Sequence, residues 1–196
     1  VGGTNNSTIS GYYGPSFADT FIGGGSNNKI ESFGGAFLGG GYLNTVSGTY
    51  QNTIVGGQSN KITAGGYSFI GGGYNNTISG YYSSVVGGTS NTVSGRYSSV
   101  VGGTFNTASA ECSFIGGGEK NCILPTHSHA FIIGSNLTST AACTTFMNSV
   151  CIANKIDLGA FTSTSYSSGL TAINPIQNFY PSNGVGSDTT TDLAVD

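Results

Sequence analysis

The most specific chemical grouping in this chain is His127-Ser128-His129. Residues two apart on a strand share a face, so both imidazoles would point the same way. Imidazole suits iron, nickel, copper or zinc, and three chains around an axis would gather six such rings. The competing reading puts both histidines at edge positions of a longer repeat, with His127 where other repeats carry Tyr. That reading is adopted here, and no metal or cofactor is assigned. Acid–base chemistry has less to work with: Asp and Glu total 8, standing singly except for Glu119 beside Lys120. Within the repeats, Asp19, Glu31, Glu111 and Glu119 offer no pair on one face of the kind that acid–base or glycosidic catalysis needs. A Ser-His-Asp set can be drawn in any Ser-rich chain and carries no weight. Phrases such as Ile70-Gly71-Gly72-Gly73 lack the Lys-Ser/Thr and following helix of a phosphate loop, so they read as turns. No catalytic residue is assigned, and the chain reads as a non-enzyme.

The four cysteines, Cys112, Cys122, Cys143 and Cys151, match no zinc or redox spacing. Cys112 and Cys122 interrupt positions that elsewhere hold Tyr and Thr or Lys. They read as free thiols, with a Cys112–Cys122 bridge across one coil as the alternative. Only 7% of residues are charged and the net charge is −3, against about 25% charged in an ordinary domain. This leaves no electrostatic footprint for nucleic acid or an anionic membrane. No apolar run approaches the ~20 residues that span a bilayer, so no membrane insertion is expected. Val1 opens in mid-phrase, as in a fragment or a processed product.

What positions these residues is a repeat. Asn28, Asn44, Asn60, Asn76, Asn91, Asn106, Asn121 and Asn136 recur at steps of 16 and then 15 residues. A fixed period this short marks a solenoid whose like positions stack. Before each glycine turn stands an apolar pair: Phe21-Ile22, Phe37-Leu38, Ile54-Val55, Phe69-Ile70, Val85-Val86, Val100-Val101, Phe114-Ile115 and Ile132-Ile133. Apolar, β-prone pairs bounded by Gly and Asn read as short strands. A second strand follows most Asn, as in Thr77-Ile78 and Thr92-Val93, and no stretch to residue 137 has helical spacing. The fold class expected is therefore all-β: a parallel solenoid over residues 1–137, on the order of 40 Å long at ~4.8 Å per coil.

Three consequences follow from stacking. The Asn should form a structural ladder, each amide bonding the next. Tyr50, Tyr82 and Tyr97, each six residues after an Asn, should stack on one edge. Neighbouring strand residues face opposite ways, so one member of each apolar pair fills the core and the other forms an outer apolar stripe. Such a stripe needs a cover, and copies of the same chain around an axis supply it. A homotrimer is expected. After Asn136 the period stops: 138–160 reads as a capping or transition segment, and 161–196 as a Ser/Thr/Asn/Gly-rich C-terminal segment. The sequons at Asn5, Asn6, Asn75 and Asn136 follow from an Asn- and Thr-rich repeat and do not imply glycosylation.

The phrase Ser83-Ser84-Val85-Val86-Gly87, followed by Ser94-Gly95, resembles the head repeat of YadA-type trimeric autotransporter adhesins. That resemblance implies a trimeric, left-handed parallel β-roll. The Gly-Gly-Gly-x-x-Asn form is closer to repeat tracts in tail and surface fibres of bacteriophages and large viruses. Ile133-Gly134-Ser135-Asn136-Leu137, then Cys143-Thr144-Thr145-Phe146, resembles the way such tracts end. Viral fibres of this kind also imply iron at a His-x-His, matched here at three residues only. The expected function is a structural and adhesive component of a trimeric surface fibre, on a virion or otherwise extracellular, projecting a host-contact surface. Its partners would be itself and a host-surface glycan or protein, with exposed Tyr such as Tyr12, Tyr13 and Tyr81 able to stack on sugars or to act as ladder residues. A bacterial adhesin head is the alternative, and a fibre-borne polysaccharide depolymerase the reading from another class.

Overall fold

The computed structural model describes residues 2–8, 20–32 and 34–149. Expectations for Tyr12, Tyr13, Asp19, Cys151, residues 150–160 and residues 161–196 lie outside the described residues. Those described contain 17 short strands and no helix. The strands alternate along the chain between two parallel sheets. The eight-stranded sheet runs from Ser7–Thr8 to Cys122–Ile123, and the nine-stranded sheet from Thr20–Ile22 to Thr145–Met147. Every strand pairs with its like in the neighbouring coil, as in Thr77↔Thr92 and Val85↔Val100. The described residues form a parallel β-solenoid.

The core is one file of side chains from each sheet. Ile30, Val46, Ile62, Ile78, Val93, Ala108 and Ile123 meet Ile22, Leu38, Ile54, Ile70, Val85, Val100, Ile115 and Ile132, all fully or almost fully buried. Burying a Val, Leu or Ile side chain contributes about 1.5–3 kcal/mol, so each coil adds two such terms. Coil-to-coil backbone bonds continue through the corners, as in Tyr74 N–H to the Gly88 carbonyl at 2.9 Å. Gly73 shows why the corner needs glycine. Its φ is +89°, and a Cβ there would strike the Gly88 carbonyl oxygen of the next coil.

The two corners differ in tolerance. In every coil from Ile22 to Ile115, as from Ile70 to Ile78, Val85 to Val93 and Ile115 to Ile123, the Asn-bearing corner advances eight residues. The opposite corner advances eight from Ile62 to Ile70, seven from Ile78 to Val85, and nine from Ile123 to Ile132. That variation is the source of the change in period from 16 to 15. It also places His127 and His129 in the longest such corner.

Parallel pairing does not end at residue 137, where the sequence placed the end of the solenoid. Thr138 bridges to Cys122, and Thr145–Met147 pairs with Phe131–Ile133. The loss of glycine turns after Asn136 hid this continuation, because pairing needs an extended backbone and not the repeated turn residues.

Candidate functional site

The Asn column forms from the corner upward. The residue before each ladder Asn lies at positive φ, as at Asn75 (+55°) and Ser90 (+54°), which turns the next side chain inward. Asn91 Oδ1 accepts the Asn106 N–H at 3.0 Å. Its Nδ2 donates to the Gly87 carbonyl of its own coil at 3.1 Å and to the Gly103 carbonyl of the next at 3.0 Å. Asn44 repeats this with Asn60, Gly40 and Gly57. The expected amide-to-amide bond is thus secondary: it occurs from Asn44 to Asn28, from Asn76 to Asn60 and from Asn121 to Asn106. Side chain to backbone is the dominant pattern, which lets each Asn staple two coils.

Asn136 is not in this column. Leu137 takes the place, donating its N–H to Asn121 Oδ1 at 3.1 Å, while Asn136 sits at φ +58° in the turn position before it. The coil that ends there gains two residues at the His corner and loses one at the glycine corner. Counting by fifteen therefore lands one residue short. At the other end, Asn6 extends the column, its Oδ1 accepting the Asn28 N–H at 2.9 Å.

A second buried polar column escaped the sequence. Asn52, Ser68, Ser83, Ser98 and Ser113 stand one above another at the start of strands in the nine-stranded sheet, all buried. Asn52 Oδ1 accepts the Ser68 N–H at 3.0 Å, and Ser98 Oγ accepts the Ser113 N–H at 3.0 Å while donating to the Ala110 carbonyl at 2.7 Å. Among the described residues no buried side-chain polar atom lacks a partner. The available signal was a Ser or Asn two residues before the buried core member, as in Ser68/Ile70 and Ser83/Val85.

The apolar pairs divide as inner and outer members, but not uniformly. Ile22, Leu38, Ile70 and Ile115 are inner as second members; Ile54, Val85, Val100 and Ile132 are inner as first members. The outer side chains are Phe21, Phe37, Val55, Phe69, Val86, Val101, Phe114 and Ile133. All of them except the partly buried Phe114 are exposed, Phe21 and Val86 at 54%. They lie on the nine-stranded sheet, where Phe21 stacks on Phe37 at 5.3 Å between ring centroids. A shallow, open depression runs over Phe21, Phe37 and Thr53. The eight-stranded sheet instead turns Lys29, Thr45, Lys61, Thr77, Thr92 and Thr107 outward.

On the variable corner, Tyr50, Tyr67, Tyr82 and Tyr97 stack with centroids 5.0–5.8 Å apart and planes within 19°. The Arg96 guanidinium lies 4.5 Å from the Tyr97 ring centroid. Tyr67 was missed because the extra residue of its coil lies ahead of the ring, five residues separating it from Ile62 where four separate Tyr50 from Val46 and Tyr82 from Ile78. This stack uses the ring faces within the protein and leaves edges and hydroxyls outside. Tyr42 and Tyr74, on the other corner, are separated by Gln58 along the bridge column and are 44% and 48% exposed.

The histidines are in a turn, not on one strand face. His129, at φ +60°, follows Cys112 in the Tyr column, its N–H donating to the Glu111 carbonyl. His127, which the sequence placed in that column, instead pairs Nδ1 with Ser139 Oγ at 2.8 Å. Cys112, Cys122 and Cys143 are free, so Cys112 and Cys122 are not bridged. Among the described residues no three of His, Cys, Asp and Glu gather as a metal site. Glu31 pairs with Lys29 at 2.6 Å and Glu119 with Lys120 at 2.8 Å. Among the described residues no helix is long and apolar enough to cross a membrane. No protein-family model matches this chain, and no curated protein matches it.

Proposed function

We propose that this chain is the structural and adhesive part of a homotrimeric surface fibre, of the left-handed β-roll type, most simply a viral fibre presenting a host-contact surface. The observation that carries this is the one-sided stripe. One sheet presents a large apolar side chain outward in every coil from Phe21 to Ile133, and the other presents Thr and Lys. These side chains expose several hundred Å² of contiguous, mostly apolar surface, comparable to the ~300–600 Å² of the largest patch on a typical monomer, which is often functional. Covering the stripe with two further copies leaves the hydroxyl-bearing sheet and both corners facing water. No chemistry is required of such a shaft; its contacts act by repetition, three copies presenting each weak contact together.

The host contact falls to uncharged groups, since charged residues are sparse. Tyr42 and Tyr74 suit a glycan best, because their rings are not stacked on each other as those of the Tyr50–Tyr97 series are. Two coil steps, roughly 10 Å, separate them. A glycan array and cell-binding assay with the 1–196 particle tests this reading. Salt-insensitive binding that falls on Tyr42→Ala and Tyr74→Ala supports it. Absence of binding, beside binding by a longer form of the fibre, reduces this chain to a spacer.

A further inference from the structure

On the eight-stranded sheet each coil turns two side chains outward, one on either side of the buried residue. Thr45/Ser47, Thr77/Ser79, Thr92/Ser94 and Thr107/Ser109 are such pairs, and the coil between the first two carries Lys61/Thr63. Nine of these ten positions bear a hydroxyl, Lys61 being the exception. The fold does not require this. Lys29/Glu31 and Cys122/Leu124 occupy the same places in the flanking coils, and exposed positions ordinarily carry charged side chains.

Stacking turns these hydroxyls into a lattice. Thr77, Thr92 and Thr107 are direct Cα partners in successive strands. The second column keeps the same register, because the Ser79, Ser94 and Ser109 N–H groups donate to the Val93, Ala108 and Ile123 carbonyls at 2.9, 3.0 and 3.1 Å. Hydroxyl-bearing positions thus recur about 4.8 Å apart from coil to coil and about 6.7 Å apart along each strand. Each interval lies within roughly a tenth of an oxygen repeat on the prism face of hexagonal ice, the two repeats being perpendicular there as here. The array is also stiff. Thr is held at χ1 by its branch, and the buried Ile78, Val93 and Ala108 stand between the two columns. The Ser47 and Thr63 hydroxyls lean on carbonyls of the next coil at 3.3–3.4 Å. Groups already fixed lose little freedom on docking to an ordered surface.

We propose that this face binds ice, its occupant being the ordered water of a crystal surface. The hydroxyls take up lattice positions, and the Thr methyls between them leave the adjoining water no competing partner. A soluble glycan or a folded protein offers no repeat in two dimensions, so a lattice of matched groups serves neither. A crystalline polysaccharide does repeat, but its sugar rings pack best on aromatic faces, and the outward positions of this sheet from Lys29 to Leu124 hold no aromatic residue. The activity is separate from the host contact at Tyr42 and Tyr74. It does not depend on the fibre assembly, which uses the opposite sheet.

Crystal shaping and partition into a slowly growing ice front test this with the intact chain. Wild type should facet ice crystals and enter the ice in preference to serum albumin. Thr92→Tyr sets a ring upright in the middle of the array. As a β-prone replacement it should leave far-UV circular dichroism unchanged while abolishing both effects. Lys61→Thr fills the one gap in the first column. It should raise the ice-bound fraction roughly twofold or more, since repeated contacts act together, and it keeps the test decisive if Thr92→Tyr folds poorly. Tyr74→Ala should change neither effect, which separates a failed glycan reading from a failed ice reading. Wild type excluded from ice like albumin overturns the proposal, even where Lys61→Thr enters. So does undiminished binding by folded Thr92→Tyr, or no gain from Lys61→Thr. Retention on crystalline cellulose without entry into ice overturns it in favour of a polysaccharide lattice.

Discussion

Replacing Asn91 by Ala removes three hydrogen bonds at one buried point. The Asn106 N–H loses its acceptor at 3.0 Å, and the carbonyls of Gly87 and Gly103 lose donors at 3.1 and 3.0 Å. A buried donor left unsatisfied costs about 1–3 kcal/mol, and under-satisfied carbonyls cost less because each has a second lone pair. Asn91 is fully buried in the midst of the array, so water cannot substitute without the coil opening. The sum is about 2–4 kcal/mol, which lowers the melting temperature by roughly 5–15 °C for a chain of this size at fixed concentration. Asn136→Gly is the matched control. Asn136 lies outside the column at φ +58°, a conformation that glycine adopts freely, so its replacement should shift the melt by no more than about 2 °C, an effect below ~0.5 kcal/mol. Differential scanning calorimetry on the two variants gives the answer. A melt for Asn91→Ala within a degree or so of wild type, or equal losses from both, would show that the Asn period records repeat ancestry and not stapling.

Other substitutions probe the remaining columns. Val85→Asp should unfold its coil, because Val85 is fully buried, whereas Val86→Asp should leave circular dichroism intact and break the assembly, an unpaired charge in an apolar contact costing several kcal/mol; native mass spectrometry separates the two outcomes. Ser98→Ala should lower stability by about 1–3 kcal/mol, since Ser98 Oγ serves both the Ser113 N–H and the Ala110 carbonyl, and an unchanged urea midpoint would refute the second column. Tyr82→Ala should cost stability by removing a ring stacked on both sides, while Tyr74→Ala should leave the melt unchanged and act only on glycan binding.

The period made the solenoid legible because an Asn that staples two coils must recur in every coil. Its limit shows at Asn136, where a two-residue gain at the His corner and a one-residue loss at the glycine corner shift the column to Leu137. The facing of the apolar pairs was hidden, since two adjacent apolar residues look alike from either side. The missing signal was distance from the ladder. The buried member stands six residues before the Asn in every coil from Ile22 to Ile115, whether Phe precedes it or Val follows it. Tyr67 and His129 were displaced from their expected places by the same variable corner, whose length backbone pairing does not constrain. The serine column was readable only in part, because a Ser before a strand is common on solvated surfaces as well as buried ones.

The central claim is that the stripe of Phe, Val and Ile on one sheet is an interface between copies. Sedimentation equilibrium of the intact chain at micromolar concentration tests it most directly. Three 19.8-kDa chains per particle is the predicted result, and a soluble, folded particle of one chain across the concentration range would contradict it.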